Sequence, residues 1–261
     1  MLASKGHNVY ATARNAESIV DLQAAGCKTL ALDVTDEGSM VAAVDHVVAA
    51  EGKVGALVNN AGYSQSGAME TVDMDSLRRQ FETNVFGLTR MCQLVLPSMR
   101  AAGFGRIVNI SSIGGKVVFP GGGAYHATKH SVEALSDAMR FEVKSFGVDV
   151  VIVEPGAIRT EFGNAVVSNL SGLKDDGPYG KFNASVGTIT KEAYEKGPMA
   201  AFSGPPEAVA KVILKAITKR RPRPRYSVTP GAKIIIGSHA LMSDRGWDFF
   251  VGTQFPRPGK S

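Results

Sequence analysis

The sequence predicts an α/β protein in which helices cover both faces of a parallel sheet. Short β-prone runs alternate with stretches of helical periodicity along most of the chain. Polar motifs follow the ends of these runs, and open parallel sheets bind ligands beyond the carboxyl ends of their strands. The sequence therefore predicts a three-layer sheet protein with one functional edge, which we call the carboxyl edge.

The individual elements follow from the periodicity. The predicted strands are Val9–Thr12, Thr29–Leu32, Ala56–Val58, Arg106–Ile110 and Val148–Val153, with Tyr226–Val228 as a last edge strand. The predicted helices are Glu17–Ala25, Glu37–Glu51, Asp75–Ala102 and Ala124–Phe146. This alternation favours parallel pairing with helices packed on both faces.

Size and composition are those of a cytoplasmic globular protein. The 261 residues suit one α/β domain over 1–261, and 44% hydrophobic and 20% charged content is ordinary. No apolar stretch approaches a membrane span, and the N-terminus lacks the apolar core of a secretory signal. Cys27 and Cys92 lack metal-type spacing, and a buried Cys92 suits a reducing cytosol.

The net charge of +5 comes from one segment. Five cations fall within seven residues, and without them 24 cationic residues balance 24 acidic ones. They are Lys219, Arg220, Arg221, Arg223 and Arg225. Two interpretations stay open: a solvated loop kept extended by prolines, or a patch for an anionic membrane surface or partner. No nucleic-acid-binding motif accompanies the segment, so we expect no nucleic-acid partner.

Ser112, Tyr125 and Lys129 are of types that move protons on and off alcohols. Tyr125 and Lys129 are four residues apart in a predicted helix and therefore share one face. A lysine ammonium beside a phenol favours the phenolate, as a general acid/base requires. Ser112 lies thirteen residues before Tyr125, across the glycine turn Gly121–Gly123. That turn can return a strand end to the start of the helix.

Polar motifs follow each of the first five predicted strands. In order they are Arg14, Asp33, Asn59, Ser111–Ser112 and Pro155–Gly156. We expect all of them at the carboxyl edge, which predicts the active site there.

Asn84 interrupts an apolar stripe on the helix predicted over Asp75–Ala102. A buried amide must find hydrogen-bond partners. Either it bonds a neighbouring loop for structural reasons, or it extends a proton path toward Tyr125.

Together these motifs resemble the short-chain dehydrogenase/reductase family, from Leu2 to about Phe162. The matching pieces are Tyr10–Arg14, Leu32–Asp36, Asn59–Gly62, Asn84, Ser111–Ser112, Tyr125 with Lys129, and Pro155–Gly156. The resemblance implies a Rossmann-like, doubly wound sheet and a nicotinamide cofactor. It also implies that Ser112 holds the substrate oxygen, Tyr125 exchanges its proton, Lys129 binds the nicotinamide ribose, and Asn84 completes a relay.

The resemblance also implies cofactor contacts. Asp33 and Val34 would border the adenine. The loop residues Asn59, Ala61 and Gly62 would brace the cofactor. Near the nicotinamide would lie Pro155, Gly156 and Thr160, with Thr160 at its carboxamide. An acid in place of Arg14 would suit a 2′-hydroxyl, whereas Arg14 suits a 2′-phosphate. We therefore predict NADP(H) rather than NAD(H). The alternative is an Arg14 that only stacks on adenine or faces solvent.

One part of the family pattern is missing. Members begin with a strand and a glycine-rich turn that cradles the pyrophosphate at a helix N-terminus. Here Leu2–His7 resembles the last turn of that helix, so roughly fifteen to twenty-five residues are absent by comparison. The missing strand would lie in the middle of the sheet and leave two apolar edges. Either the start Met is misassigned, or the chain is naturally short and binds cofactor poorly.

The C-terminal third suggests the substrate class. Residues 161–205 form a long segment with apolar side chains at Phe162, Leu170, Leu173, Tyr179 and Phe182. Such segments are often lids over a site, here for a hydrophobic alcohol or ketone; equally, they can be ordinary cover. The pattern is most similar to the branch with retinol and hydroxysteroid dehydrogenases.

The tail over residues 226–261 is apolar at Lys233–Ile236 and at Trp247, Phe249, Phe250 and Val251. A helical pair there could cover the substrate pocket, dock on another subunit or touch a membrane; we expect cover or a homo-oligomer contact.

Three functions therefore remain open. The first is an NADP(H)-dependent oxidoreductase that acts on a hydrophobic alcohol or its carbonyl compound. The second is a non-catalytic or cofactor-poor binding protein that has lost its phosphate loop. The third is a nucleotide-sugar epimerase with the same Tyr–Lys pair, for which the chain is short.

Overall fold

The structure is a computed structural model that describes residues 1–160, 169–170, 177–195 and 203–259. Its strands are β1 Val9–Ala13, β2 Cys27–Ala31, β3 Ala56–Asn59, β4 Gly105–Ile110, β5 Val148–Glu154 and β6 Arg225–Ser227. Its helices are α1 Glu37–Glu51, α2 Met74–Phe81, α3 Leu88–Ala101, α4 Gly123–Glu142, α5 Gly180–Glu195, α6 Pro206–Thr218, α7 Pro230–Leu241 and α8 Asp244–Gly252.

All strand pairs are parallel, as the alternation predicted, but the strands form two sheets. One sheet contains β1 and β2, and the other has the order β3-β4-β5-β6. Together with helices on both faces, this arrangement confirms the Rossmann-like α/β prediction. No strand in the described ranges joins β1 to β3.

A cleft of about 830 Å³ lies between β1 and β3, and we call it the strand cleft. Tyr10 of β1, Leu57 and Val58 of β3, and Ile213 of α6 are among the side chains that line it. Within the described residues, neither β1 nor β3 has a strand partner on the side that faces this cleft, so two strand edges border one largely apolar space. The family resemblance predicts a further strand in the middle of the sheet, and this cleft lies between the two sheets of the structure.

The core divides into two layers because side chains alternate along each buried strand. Ile107 of β4 and Val150 of β5 pack with α1, α3 and α4 on one face. Val108 and Val151 point to the other face and pack with α6, whose Ala216 is fully buried. Strands buried on both faces read as continuous apolar runs, which is why β4 and β5 were predicted to within one residue.

Two predicted helices differ from the structure. Glu17–Ala25 is not an α-helix: Ala16–Gln23 forms 3₁₀ turns that are broken at Ile19, where φ is −128°. Asp75–Ala102 is not one uninterrupted α-helix, because the π-helical segment Glu82–Gly87 separates α2 from α3. A π segment inserts an extra residue into the turn without ending the helix, so the apolar stripe continues through it.

Helices α5 and α6 were not predicted at all. Within the expected lid, Leu170 and Phe182 are buried with Val186 against Ala68, and Tyr179 packs on the same cluster. The described part of this segment therefore packs on the domain as cover, and Phe162 and Leu173 lie outside the described residues.

The tail forms the expected helical pair, α7 and α8. Trp247 and Val251 are buried against Val117, in the loop that follows Ser112, and the Trp247 indole N–H donates to Val118 O at 3.1 Å. The pair thus covers that loop, while Phe249 stays 75% exposed. None of the helices in the described ranges is long and apolar enough to cross a bilayer.

Candidate active site

Helix α4 carries Tyr125 and Lys129 on one face, and a glycine turn starts it. Gly121 has φ of +76°, a left-handed conformation that side chains rarely adopt. A Cβ added at Gly122 would lie 2.4 Å from the His126 ring. The turn therefore needs glycine both for its backbone angle and for the close approach of α4.

Lys129 is buried beneath Tyr125. Its Nζ donates to the carbonyl of Ile110, the last residue of β4, at 2.8 Å and lies 5.7 Å from the centre of the Tyr125 ring. Burial lowers the pKa of Lys129 to about 8, and the negative Glu133 one turn further along α4 partly opposes that effect. An ammonium so placed stabilises a negative charge on the Tyr125 phenol.

Ser112 follows β4 and begins a short 3₁₀ turn. Its hydroxyl accepts a hydrogen bond from Gly114 N at 3.1 Å, and the next backbone N–H, of Ile113, donates to Pro155 O at 2.9 Å. A Cβ added at Gly114 would lie 3.5 Å from the Tyr125 ring. The turn after Ser112 therefore passes close to the Tyr125 ring at Gly114.

Asn84 is fully buried in the π-helical segment. Its amide donates to Tyr63 O at 2.9 Å and to Thr128 Oγ1 at 3.1 Å, and its carbonyl accepts from Tyr63 N at 3.1 Å. Thr128 precedes Lys129, so Asn84 links the loop after β3 to the helix of the Tyr–Lys pair. These hydrogen bonds to the Tyr63 backbone are contacts with a neighbouring loop, as the first of the two interpretations of Asn84 predicted.

The exposed pair Ala61–Gly62 lies in this same loop. A Cβ added at Gly62 would lie 3.0 Å from Asn84 Oδ1 and 3.8 Å from Lys129 Nζ. The backbone of Gly62 therefore lies close to both polar groups, and a side chain there would crowd them.

The Asn59 side chain points into the core. Its amide donates to Asn109 Oδ1 at 2.9 Å and to the Cys92 sulfur at 3.2 Å, and Asn109 in turn donates to Ser136. Burial raises the pKa of Cys92 to about 12. This arrangement leaves the Asn59 backbone, not its side chain, for the carboxyl edge.

Arg14 and Asp33 lie together after β1 and β2. Arg14 is exposed, and the Asp33 carboxylate accepts from the Thr35 hydroxyl and backbone N–H at 2.7 and 2.9 Å. These hydrogen bonds, and to a smaller degree Arg14, lower the pKa of Asp33. Val34 O lies against Gly87, where an added Cβ would be 2.2 Å away. The loop after β2 is therefore fixed to the helical segment that carries Asn84.

Pro155, Gly156 and Thr160 follow β5 as predicted. An added Cβ at Gly156 would lie 2.4 Å from the Thr229 hydroxyl, so the segment passes tightly against the start of α7. Thr160 is exposed, with its hydroxyl 3.4 Å from Ile158 O.

His126 was not predicted as a site residue, although it is adjacent to Tyr125. Its ring is buried, contacts the rings of Tyr125 and Phe119, and accepts a hydrogen bond from Phe119 N at 3.4 Å through Nδ1. Burial lowers the pKa of His126 to about 4, so the ring is neutral at pH 7. No spacing rule distinguishes such a histidine from a solvent-exposed one.

A group of charged side chains was also missed, and we call it the Glu133 cluster. It contains Glu133 and Asp137 of α4, Glu154 of β5, Arg225 of β6 and Lys116. Arg225 was grouped with a solvated basic loop, which is wrong for this residue because its guanidinium is paired and only 29% exposed. Lys219, Arg220, Arg221 and Arg223 are exposed as expected.

Comparisons with known proteins bear on the family of this chain. The short chain dehydrogenase family profile matches residues 1–171. A 3-ketodihydrosphingosine reductase from Bacteroides thetaiotaomicron is 35% identical over 238 residues, covering 90% of this chain and 83% of that protein.

Solved structures give the same result. A short-chain dehydrogenase from Streptomyces avermitilis superposes with a TM-score of 0.77 at 35% identity, covering 91% of this chain and 84% of the other. ElxO with NADP bound superposes with a TM-score of 0.70 at 26% identity, covering 89% and 91%. By its match to the family profile and to these relatives, the chain belongs to the short-chain dehydrogenase/reductase family of NAD(P)-dependent oxidoreductases.

Proposed function

We propose that this protein interconverts an apolar alcohol and its carbonyl compound with NADP(H), and that Tyr125 moves the proton. The observation that carries the proposal is the buried Lys129 ammonium 5.7 Å from the Tyr125 ring, with the Ser112 turn against the same ring. A cation held in a low-dielectric site stabilises a phenolate far more than one in water does.

The cofactor supplies or accepts the hydride, and the chain handles the proton and the substrate oxygen. Ser112 donates a hydrogen bond to that oxygen, and Tyr125 protonates it in reduction or deprotonates it in oxidation. Lys129 stabilises the phenolate that remains after proton transfer. Asn84 keeps the Tyr63 loop and Thr128 in place around the pair.

The residues at the carboxyl edge fit a nicotinamide dinucleotide. The Gly62 backbone lies close to Lys129 Nζ, since a Cβ added at Gly62 would be 3.8 Å from that nitrogen. We assign the adenine to Asp33 and Val34, bracing of the cofactor to the Asn59 backbone and Ala61, and the nicotinamide to Lys129 and the Pro155–Thr160 segment. These contacts agree with the likeness to ElxO with NADP bound.

Arg14 is our candidate for the 2′-phosphate. It is exposed beside Asp33, whose carboxylate is already bonded to Thr35 and so does not neutralise the guanidinium fully. Arg14→Ala should weaken NADPH binding at least tenfold and NADH binding much less. Arg245→Ala, a distant exposed arginine on α8, serves as control. Equal losses for both cofactors would reject the assignment.

The substrate is proposed to be hydrophobic. The relative that reduces 3-ketodihydrosphingosine is named for a lipid ketone. In this chain the apolar cluster of Leu170, Phe182 and Val186 packs on Ala68, in the loop after β3. A screen of ketones and aldehydes of increasing chain length should show kcat/KM that rises with apolar length. Equal rates on small polar carbonyls would count against this substrate class.

We also propose a cytoplasmic homo-oligomer. Both cysteines are free thiols, which suits a reducing compartment, and Phe141 of α4 is 87% exposed and available for a subunit contact. Light scattering of the purified protein would report the oligomeric state, and a monomer at micromolar concentration would remove that part of the proposal.

Tyr125→Phe tests the mechanism directly. Loss of the hydroxyl should lower turnover by at least a thousandfold and leave NADPH binding, followed by quenching of Trp247, within about twofold. Tyr226→Phe removes a hydroxyl outside the site and serves as matched control. Parent-like turnover in Tyr125→Phe would remove Tyr125 from the chemistry. A folded parent that binds neither cofactor would favour the alternative of a non-catalytic binding protein.

A further inference from the structure

We propose that Glu133 is a positioning residue that holds the Ser112 turn and strand β6 against helix α4, and so fixes Ser112 and Lys129 relative to each other. The proposal rests on the function proposed above. Glu133 lies one turn after Lys129 on α4 and is buried, and its carboxylate pairs with Lys116 at the end of the Ser112 turn.

The contact with the Ser112 turn is direct. Glu133 Oε2 is 2.9 Å from Lys116 Nζ, and Lys116 ends the 3₁₀ turn that Ser112 begins. The turn packs closely against Glu133 at Gly115, because an added Cβ there would lie 2.6 Å from Ser111 Oγ and 2.9 Å from Glu133 Cγ. Any movement of Glu133 would therefore move the turn that carries Ser112.

The same carboxylate oxygen reaches the other side of the site. Arg225 Nε donates to Glu133 Oε2 at 3.0 Å, although the two residues are 92 positions apart in sequence. The Arg225 guanidinium also pairs with Asp137 and lies 3.4 Å from Glu154 Oε1. Glu154 ends β5 immediately before Pro155. The cluster thus ties α4, the Ser112 turn and the end of β5 together.

The cluster also sets the electrostatic field on Lys129. The charged groups that face Glu133 are Lys116 from the turn, Arg225 from β6, Glu154 from β5, and Lys129 and Asp137 from α4, with Arg140 paired to Asp137. Negative Glu133 raises the pKa of Lys129 against the lowering effect of burial. Without that charge Lys129 loses its proton at lower pH, and the phenolate loses its support there.

Two variants should move the pH profile in opposite directions. Glu133→Gln keeps the shape of the side chain and removes its negative charge. The alkaline limb of the kcat profile should therefore shift to lower pH by about one unit, so that kcat at a given pH on that limb is roughly tenfold lower than in the parent. Lys116→Gln removes a positive charge from the other side of Glu133 and should shift the limb to higher pH. A residue that only stabilises the fold would give no such opposite pair.

The experiment measures kcat and KM for NADPH-dependent carbonyl reduction between pH 6 and 10, with NADPH affinity from Trp247 quenching. Glu142→Gln, exposed at the end of α4, is the matched control and should reproduce the parent profile. Unchanged profiles in both variants, or shifts of the same sign, would overturn the proposal.

Folding and the proposed function are checked separately. Urea unfolding shows whether Glu133→Gln is folded. If that variant is unfolded, the direction in which Lys116→Gln shifts the pH profile decides alone. The Lys116 side chain is 30% exposed, so we expect it to tolerate substitution better than the buried Glu133 does. If Tyr125→Phe keeps turnover, the proposed function fails. If Tyr125→Phe is inactive and the pH profiles do not move, only the positioning role fails.

Discussion

Replacing Asn84 by alanine separates a structural anchor from a proton relay. The amide makes three hydrogen bonds, two to the Tyr63 backbone and one to Thr128, and the residue is fully buried. If anchoring is its main role, Asn84→Ala should lower the free energy of unfolding and loosen the Tyr63 loop. If Asn84 served only as a relay, turnover would fall at unchanged stability.

The magnitude follows from the bonds that are lost. Each buried hydrogen bond contributes about 1 kcal/mol net, and the Tyr63 N–H would be left without this partner at a further cost of about 1 kcal/mol or more. The expected destabilisation is therefore about 3–4 kcal/mol. For a chain of 261 residues, an unfolding entropy of about 2.1 cal/mol/K per residue converts this to a fall in Tm of about 6 °C.

Urea unfolding followed by Trp247 fluorescence gives the free energy, and calorimetry gives Tm. The matched control is Asn60→Ala, an exposed amide of the same loop, which should change stability by less than about 0.5 kcal/mol. An Asn84→Ala protein as stable as the control would refute the anchoring argument, whatever its activity.

Three further predictions follow from buried groups and from the strand cleft. Because the pKa of His126 falls to about 4 on folding, the unfolded chain takes up a proton at higher pH than the folded chain does, and the free energy of unfolding should drop by about 3 kcal/mol between pH 6.5 and 4. The variant His126→Gln should show a smaller drop in urea titrations over this range. An equal drop in the parent and the variant would contradict the burial of His126. Iodoacetamide at pH 8 should label Cys27 but not Cys92, whose pKa is about 12, until urea is added; rapid native labelling of Cys92 would contradict its packing. The strand cleft should bind an apolar dye such as ANS. A soluble peptide with five apolar residues should displace the dye, whereas the same peptide with a central proline should not, because proline lacks the backbone N–H that strand pairing needs. Equal displacement by both peptides would mean that strand pairing is not involved.

Local signals explain which parts of the fold could be predicted. Helix α1 was predicted with both ends correct, because Asp36 caps its first turn and Gly52, with φ of +78°, ends it. Strand β2 is less amphipathic, and its prediction was shifted by up to two residues. Helices α5 and α6 follow a glycine- and proline-rich stretch that suggested a loop. Their packing on distant parts of the chain overrides that local signal, since α5 packs on Ala68 in the loop after β3 and α6 packs on β4 and β5.

The same distinction applies to the site. Tyr125, Lys129 and Ser112 lie within eighteen residues, so local spacing and helix periodicity were enough to predict them as one group. The partners of Glu133 include Arg225, 92 residues away and adjacent to four exposed cations, and no sequence pattern separates it from them. Asn59 shows the limit of motif transfer, because its backbone lies at the carboxyl edge while its side chain bonds Asn109 in the core.

The split sheet divides the site between two structural units. Arg14 and Asp33 follow the strands of the β1–β2 pair, whereas Ser112, Tyr125 and Lys129 belong to the sheet β3–β6 and its helices. With no hydrogen-bonded strand between β1 and β3 in the described ranges, the two units are joined through α1 and α3. Met40 and Val44 of α1 pack with Leu88 and Met91 of α3, and the Arg90 guanidinium of α3 donates to the Glu37 carboxylate of α1. Backbone ladders resist sliding better than non-directional apolar contacts and a solvent-exposed ion pair do. Cofactor selection therefore depends on a weaker junction than proton transfer does, and substitutions in the α1–α3 contact should affect NADPH affinity before they affect the geometry of Tyr125 and Lys129.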